Sequence, residues 1–418
     1  MFERRIPEWL RHAPTPSVRG FAVLAGFEAI VRGILISVFP VAMYDALNDA
    51  SQISSIYFVI GIISLTVGLL VPHLNRFIPR RWMYGIGVAG YAIGAGLAVV
   101  GTAEMIVLSL VVNSLATVVT FVCFNAYVLD YIARVELGKC ETLRMFYSAL
   151  GWTVGPVLGV MLWGWWKPAP FLISGTAAII MLGVFLFLRM GNGKLITRAR
   201  RTPINPIAYL GRFFQQPRLI AGWLFAVIRS CGWWAYVVYL PIFAVENGLG
   251  DSLGGVMLSV TNAALFLSPS MLRWMQNHSV RYAVRTGFIA CAILFTAASV
   301  GSITPLMAIV LLFSGSFFLI LLDICAGLPF LMADKPSERT EMSAVYSSYR
   351  DISGIVIPGV AWLVLLVAPV SGIFGAAGIA SLLAWNIAGR LHPRLGESRI
   401  KPATSFVSDS RNTISAAE

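Results

Sequence analysis

The sequence predicts an all-α integral membrane protein of twelve transmembrane helices in two related six-helix halves. Three observations carry that prediction. Hydrophobic residues make up 58% of the 418, charged residues 12%, and the mean hydropathy is +0.79; in a soluble domain roughly a quarter of residues are charged. Apolar runs recur along most of the chain, and twelve are long enough for a hydrocarbon core about 30 Å thick, which takes ~20 helical residues. The positive charge is also segregated. Of the 31 Lys and Arg, 27 fall in segments 1–19, 73–82, 132–144, 189–218, 273–285, 334–340 and 390–418. Those are every second connection counted from the amino terminus.

The twelve runs centre near Gly33, Gly61, Ala89, Ser114, Pro156, Ile179, Ala235, Ala263, Leu294, Phe317, Gly354 and Leu382. Lys167 is the one basic residue in the alternate loops, and Arg32, Arg229 and Arg350 lie within spans. The positive-inside rule then places both termini in the cytoplasm, as expected of a multi-pass protein of the cytoplasmic (inner) membrane. The net charge of +12 reads as topology, so no nucleic acid partner is expected. The first run starts near Phe21 after four Arg and passes Val38 without a small-residue cleavage site, which reads as a retained helix rather than a signal peptide. Cys123, Cys231, Cys291 and Cys325 fall in apolar spans and Cys140 in an inner loop, with no spacing for disulfides or a metal.

A basic interruption, "RMGNGKLITRARRTPINPIAYLGRFFQQPR", separates spans one to six from spans seven to twelve. The expected organisation is a cytoplasmic segment 1–18, a six-helix bundle 19–189, a cytoplasmic central loop 190–217, a second bundle 218–389 and a disordered cytoplasmic tail 390–418. The halves read as a duplication. "LISVFPVAMYDAL" around Pro40 aligns with "VVYLPIFAVENGL" around Pro241, and "FYSALGWTVGP" from Phe146 aligns with "VYSSYRDISGI" from Val345. The two offsets nearly agree, and they relate spans one to seven and five to eleven.

Twelve spans in paired halves around a basic central loop resemble the major facilitator superfamily over about residues 19–390. "GWTVGPVLGVMLWG" in span five, with Gly151, Gly155, Pro156 and Gly159, is similar to the superfamily's fifth-helix motif, which is associated with antiporters. Small residues at that spacing let helix backbones approach closely, and Pro156 permits a bend. "PFLMADKPSERTEMSAVYSSYR", with Asp334 and Arg339, resembles the pattern at the tenth-to-eleventh junction; its first-half counterpart offers Asp130, Glu136 and Arg144. The resemblance implies that such inner-loop charges form pairs that break and reform, a cytoplasmic gate. The loop "PHLNRFIPRRWMY" keeps the basic pair Arg80 and Arg81 of the usual gating motif, but Asn75 and Pro79 stand near the places of its Asp and second Gly.

Charge inside a bilayer is costly, roughly 2.5–3.5 kcal/mol per residue on insertion scales, and generally faces a cavity or a partner. Away from span ends the sequence has Glu28, Arg32, Arg229, Asp323, Arg350 and Asp351. Counting from flanking polar residues at 1.5 Å per residue places Glu28, Arg229, Asp323 and Arg350 in one layer ~13–16 Å deep. Glu28 and Arg32 are one turn apart and can pair. The resemblance implies that spans one and seven face each other across the half-to-half interface, where Glu28 can also meet Arg229, and Asp323 is the expected partner of Arg350. Asp351, about 100° around the helix from Arg350, is left to face elsewhere, with the central cavity as the expectation. Asn125, Tyr127, Trp233, Trp234, Tyr236, Asn262, Tyr346 and Tyr349 are candidate lining residues of an amphipathic cavity. The histidines His12, His73, His278 and His392 all fall outside the spans, so any proton coupling is assigned to a carboxylate.

The functional expectation is secondary transport of a small organic solute by alternating access, because no phosphate-binding loop is visible. Proton coupling and export of amphipathic compounds are expected. Uptake of a siderophore or other metabolite is the alternative within the same class, and an integral-membrane enzyme or a receptor the alternative outside it. The absence of an H-E-x-x-H helix or clustered His and Asp ligands predicts no cofactor, metal or catalysis. The bilayer, the solute and protons are the expected partners, and a monomer the expected state. Topology is directly testable: cysteines introduced at Leu195 and Ser405 should be shielded from an impermeant thiol reagent in intact cells and react after permeabilisation. Labelling in intact cells refutes the orientation.

Overall fold

The computed structural model describes residues 17–75, 77–132, 137–188, 210–300, 304–333, 342 and 345–392. Among these residues there are helices and no strands, as a chain with no water to satisfy its backbone requires. Eleven helices are long and apolar enough to cross a bilayer: α1 (Val18–Leu47), α2 (Ala50–Val71), α3 (Arg80–Val100), α4 (Ala103–Val128), α5 (Leu143–Trp165), α6 (Ala169–Phe187), α7 (Pro217–Glu246), α8 (Ser252–His278), α9 (Val280–Ala298), α10 (Pro305–Phe330) and α12 (Ser371–Ala388). The remaining expected crossing holds α11 (Tyr349–Leu365), a 17-residue helix.

Several helices start on residues that satisfy their first free N–H groups. Asp49 accepts from the Ser51 amide at 2.8 Å to open α2, and Thr102 and Thr304 accept from the amides three residues on to open α4 and α10. Asn48, with φ at 50°, turns the chain from α1 into α2 in the left-handed region that Asn tolerates.

Packing repeats between the halves. In the first, α1 lies on α5 and α6, and α3 on α4 and α6; in the second, α7 lies on α11 and α12, and α9 on α10 and α12. Between halves α2 packs on α11 and α5 on α8. Each contact has a counterpart six helices away, which is the duplication seen in the sequence. Pro40 and Pro241 share a consequence too. Each lacks an N–H and crowds the carbonyl four residues back. Helix α1 is interrupted at Ile36 and Ser37, and α7 widens to a π-helix over Ala235–Tyr239.

The glycines of α5 face α1. A Cβ on Gly155 would lie 2.6 Å from the carbonyl carbon of Gly33, one on Gly151 would lie 2.8 Å from the carbonyl carbon of Ala29, and one on Gly159 would meet the carbonyl oxygen of Ile34. The opposite side of α5 meets α8. The carbonyl oxygen of Pro156 is 2.7 Å from where a Cβ of Gly255 would stand, and the Val157 amide donates to Ser259 Oγ at 2.9 Å. On the other seam, a Cβ on Gly61 of α2 would lie 2.6 Å from the Gly354 carbonyl oxygen of α11.

The apolar core is divided by level. One cluster joins most of the second half to the part of the first half furthest from the termini, including residues of Ile34–Met43 in α1 and of Ile53–Ile60 in α2. Nearer the termini, the first half has its own cluster around Phe21, Tyr84, Phe124 and Phe185, and the second half a small one around Phe213 and Phe330. The halves are thus sealed together at the distal end. One polar contact reinforces the seal, Tyr239 of α7 donating to Ser54 of α2 at 3.0 Å; at the same end Lys167 pairs with Asp45 within the first half at 3.1 Å. Asp251 in the α7–α8 loop stands beside that pair, and burial and the Asp45 carboxylate push its pKa up against the pull of Lys167.

Candidate substrate and coupling site between the halves

Two ion pairs lie at middle depth, one in each half. In α1, Arg32 Nη1 is 3.2 Å from Glu28 Oε1, and the guanidinium lies over the Trp152 ring of α5 at 5.3 Å. The close approach of α1 and α5 through their glycines brings that indole to Arg32. In the second half, Arg229 Nε of α7 is 3.1 Å from Asp323 Oδ1 of α10. The other carboxylate oxygen accepts from Trp233 Nε1 at 3.0 Å, and the Arg229 guanidinium lies over the Tyr349 ring at 5.1 Å. Asp323 retains 37% of its side-chain surface, so this pair borders open space between the helices.

The pairing corrects two expectations. Asp323 is bound by Arg229 rather than Arg350, because α7 packs on α10 and on α11 and presents Arg229 between them. Glu28 meets Arg32 of its own helix and makes no contact with Arg229 among the described residues. Arg350 is exposed; its Nε donates to Tyr349 Oη at 3.2 Å and its guanidinium lies 5.4 Å from the Phe121 ring of α4, across the two halves. Asp351 faces away from this group. Ile355, one turn further along α11, touches α2 at Gly61, so Asp351 stands on the α2-facing side and not in the central cleft.

The expected lining residues divide. Trp233, Tyr346 and Tyr349 belong to the charged group: Tyr346 stacks on Phe330 at 4.1 Å and lies 5.3 Å from Tyr349. Asn125 is half-buried one turn beyond Phe121 on the same face of α4. Asn262 crosses the seam, its Nδ2 donating to the Trp152 carbonyl at 2.6 Å. Tyr127 and Tyr236 are core residues instead. Tyr127, 1% exposed, packs between Tyr84 and Phe185, and Tyr236, 1% exposed, bonds to Thr261, which bonds to Ser316, inside the second half. A phenol buried in apolar surroundings takes a partner where one is offered. Trp234 packs in the seam against Tyr57 and Gly354.

The expected gate is only partly within the described residues. Arg80 lies over Tyr127, Arg81 over Trp82 and Arg144 over Phe124 at 4.7 Å. Asp334, Arg339, Glu136 and the Asp130 side chain lie outside the described residues. Trp152 is the site residue that sequence reasoning does not find, and its only signal is an aromatic ring on another span from an intramembrane Arg. Phe121, one of the span-four aromatics that the sequence offers as cavity lining, does face the charged group through Arg350.

A double-mutant cycle checks the second pair. Arg229→Gln and Asp323→Asn should show a coupling energy of roughly 0.5–3 kcal/mol in detergent unfolding, whereas Arg350→Gln and Asp323→Asn should be close to additive. The reverse pattern restores the Asp323–Arg350 pair.

Residues 21–358 match the sequence model of the Major Facilitator Superfamily. No curated protein matches the sequence. Among solved structures the chain is similar to the nucleoside transporter NupG, at 14% identity over 90% of this chain and 99% of that one, with a TM-score of 0.67. It is also similar to a POT family transporter in complex with a thioalcohol-conjugated peptide, at 11% identity over 88% and 94%, with a TM-score of 0.71. Identities this low establish a shared fold. With the family match covering most of the chain, the protein belongs to the major facilitator superfamily and is a membrane transporter of small solutes rather than an enzyme.

Proposed function

We propose that the protein is a proton-coupled secondary transporter that exports a small amphipathic organic solute by rocking its two halves about the α2–α11 and α5–α8 seams. The observation that carries this reading is the Glu28–Arg32 pair, 3.2 Å apart, with side chains 15% and 33% accessible. Desolvation favours a neutral carboxyl and a neighbouring guanidinium favours the carboxylate. We assign Glu28 as the proton carrier, with Arg32 as the counter-charge that a rocking movement would withdraw and restore. Helix α1 also reaches the distal seal through Ile34–Met43, so rocking moves it. Asp351 is the reserve carrier.

Export is supported by the fifth-span motif, whose glycines set the contact between α1 and α5. With both termini and the basic segments 190–217 and 390–418 in the cytoplasm of a cell with the protein in its inner membrane, the end where the halves have separate cores faces the cytosol. A solute would enter there. A single copy contains both halves, which fits a working monomer.

Reconstitution tests the coupling. In proteoliposomes with an imposed pH gradient, Glu28→Gln should abolish concentrative flux while solute exchange at equal pH continues. Normal accumulation by Glu28→Gln moves the role to Asp351 or Asp323, and normal accumulation by all three variants ends the proton-coupled reading.

A further inference from the structure

Among the described residues, one cleft-facing charge has no ion-pair partner. Glu28 and Arg32 neutralise each other at 3.2 Å, and Asp323 and Arg229 at 3.1 Å. Both Asp323 oxygens are engaged, one by Arg229 and the other by the Trp233 indole at 3.0 Å. Arg350 lies within Coulombic reach of Asp323 and of Asp351. It forms no ion pair with either, and Asp351 points to the α2 side. Arg350 uses one donor, Nε, on Tyr349 Oη at 3.2 Å, and rests against the rings of Phe121 at 5.4 Å and Tyr349 at 5.9 Å. Its two terminal amino groups, with four N–H donors, are left to the cleft.

A guanidinium stays charged at any physiological pH and is costly at mid-bilayer depth without a counter-charge. A purely structural Arg would be expected to share the carboxylate its neighbour already holds. We propose that Arg350 receives the oxyanion of the transported solute: an organic anion whose carboxylate or equivalent planar oxyanion takes the free edge of the guanidinium, and whose apolar body lies on Phe121 and Tyr349. The fork geometry of Arg suits a bidentate oxyanion. Phe121, 38% exposed, supplies an open ring face beside it. The inference deepens the transport reading and rests on the cleft between the halves being the solute path.

The placement gives the anion a mechanical role. Phe121 belongs to α4 in the first half and Arg350 to α11 in the second, so a solute held by both touches both moving bodies. A ligand that contacts both in one arrangement better than in the other shifts their equilibrium. An oxyanion also neutralises Arg350 as the cleft closes over it, and an empty cleft leaves that charge uncompensated. Closure without solute is thereby disfavoured.

Binding to the purified full-length protein tests this independently of flux. Matched sets on one apolar body would be compared by thermal shift at millimolar concentration: 2-naphthoate, 2-naphthamide and 2-naphthylmethylamine; indole-3-acetate, its amide and tryptamine; and decanoate with decanamide. The carboxylates should stabilise the protein and their amides and amines should not. Arg350→Gln should weaken the carboxylates at least tenfold, and Arg350→Lys should restore part of the loss. Phe121→Ala, which leaves the charge in place, should weaken the aromatic carboxylates more than decanoate. These shifts are read at equal pH with no gradient, whereas proton coupling is read only as gradient-driven flux, so a failure of proton coupling is distinguishable from a failure of anion recognition. Amides or amines that stabilise as well as carboxylates, unchanged anion binding by Arg350→Gln, or no stabilisation by any carboxylate would each overturn the assignment.

Discussion

The structure depends on one constraint: charge placed among helices in a hydrocarbon layer has to be matched by other charge, because water is not available to do it. Six ionisable side chains lie within the spans away from their ends, and the packing of the helices decides how they are matched. The glycine contact of α5 with α1 brings Trp152 to the Glu28–Arg32 pair. The position of α7 between α10 and α11 puts Arg229 on Asp323 and under Tyr349. Of the two that remain, Asp351 lies on the α2 side of α11 and Arg350 stands where the two halves face one another. The chemistry of the cleft follows from which charge packing leaves over.

Closure of the distal end and division of the core toward the termini have the same origin. At the distal level the helices of both halves are apolar and interdigitate into one cluster, with hydroxyl contacts such as Tyr239 to Ser54 crossing the seam. At the level of the ion pairs and below, that cluster continues within the second half alone, with a small satellite around Phe213 and Phe330, and the first half completes its own core. A boundary of this kind suits rigid halves that rock about a fixed seam, with the binding groups at mid-depth. The proline breaks at Pro40 and Pro241 fall in corresponding helices, just distal to the charged layer.

Much of this was legible in the sequence. Twelve apolar runs, the basic-residue asymmetry and the paired proline segments specify the fold, because span length and charge placement are dictated by the bilayer alone. Local charge pairing was legible where it is local: Glu28 and Arg32 are one helical turn apart. Asp323 was assigned to the wrong Arg because depth along two helices says nothing about their rotation. Arg350 and Arg229 lie at similar levels, and only the orientation of α7 distinguishes them. The same blindness to rotation places Tyr127 and Tyr236 in the cleft when both point into their own halves, and hides Trp152, whose role comes from facing an Arg on a different helix.

The central claim is that the halves exchange closure at one end for closure at the other. Spin labels at Met145 and Leu272, on exposed positions toward the terminus-bearing ends of α5 and α8, and a second pair at Trp166 and Glu246 on the distal side, would report it by pulsed electron-electron distance measurement in lipid nanodiscs. The five cysteines are buried, which favours labelling at the introduced sites. The account predicts that as pH is varied the two pairs change in opposite senses, one population shortening at the terminus-bearing end while a matching population lengthens at the distal end. Distances that stay fixed at both ends across pH, or that lengthen together, would contradict it.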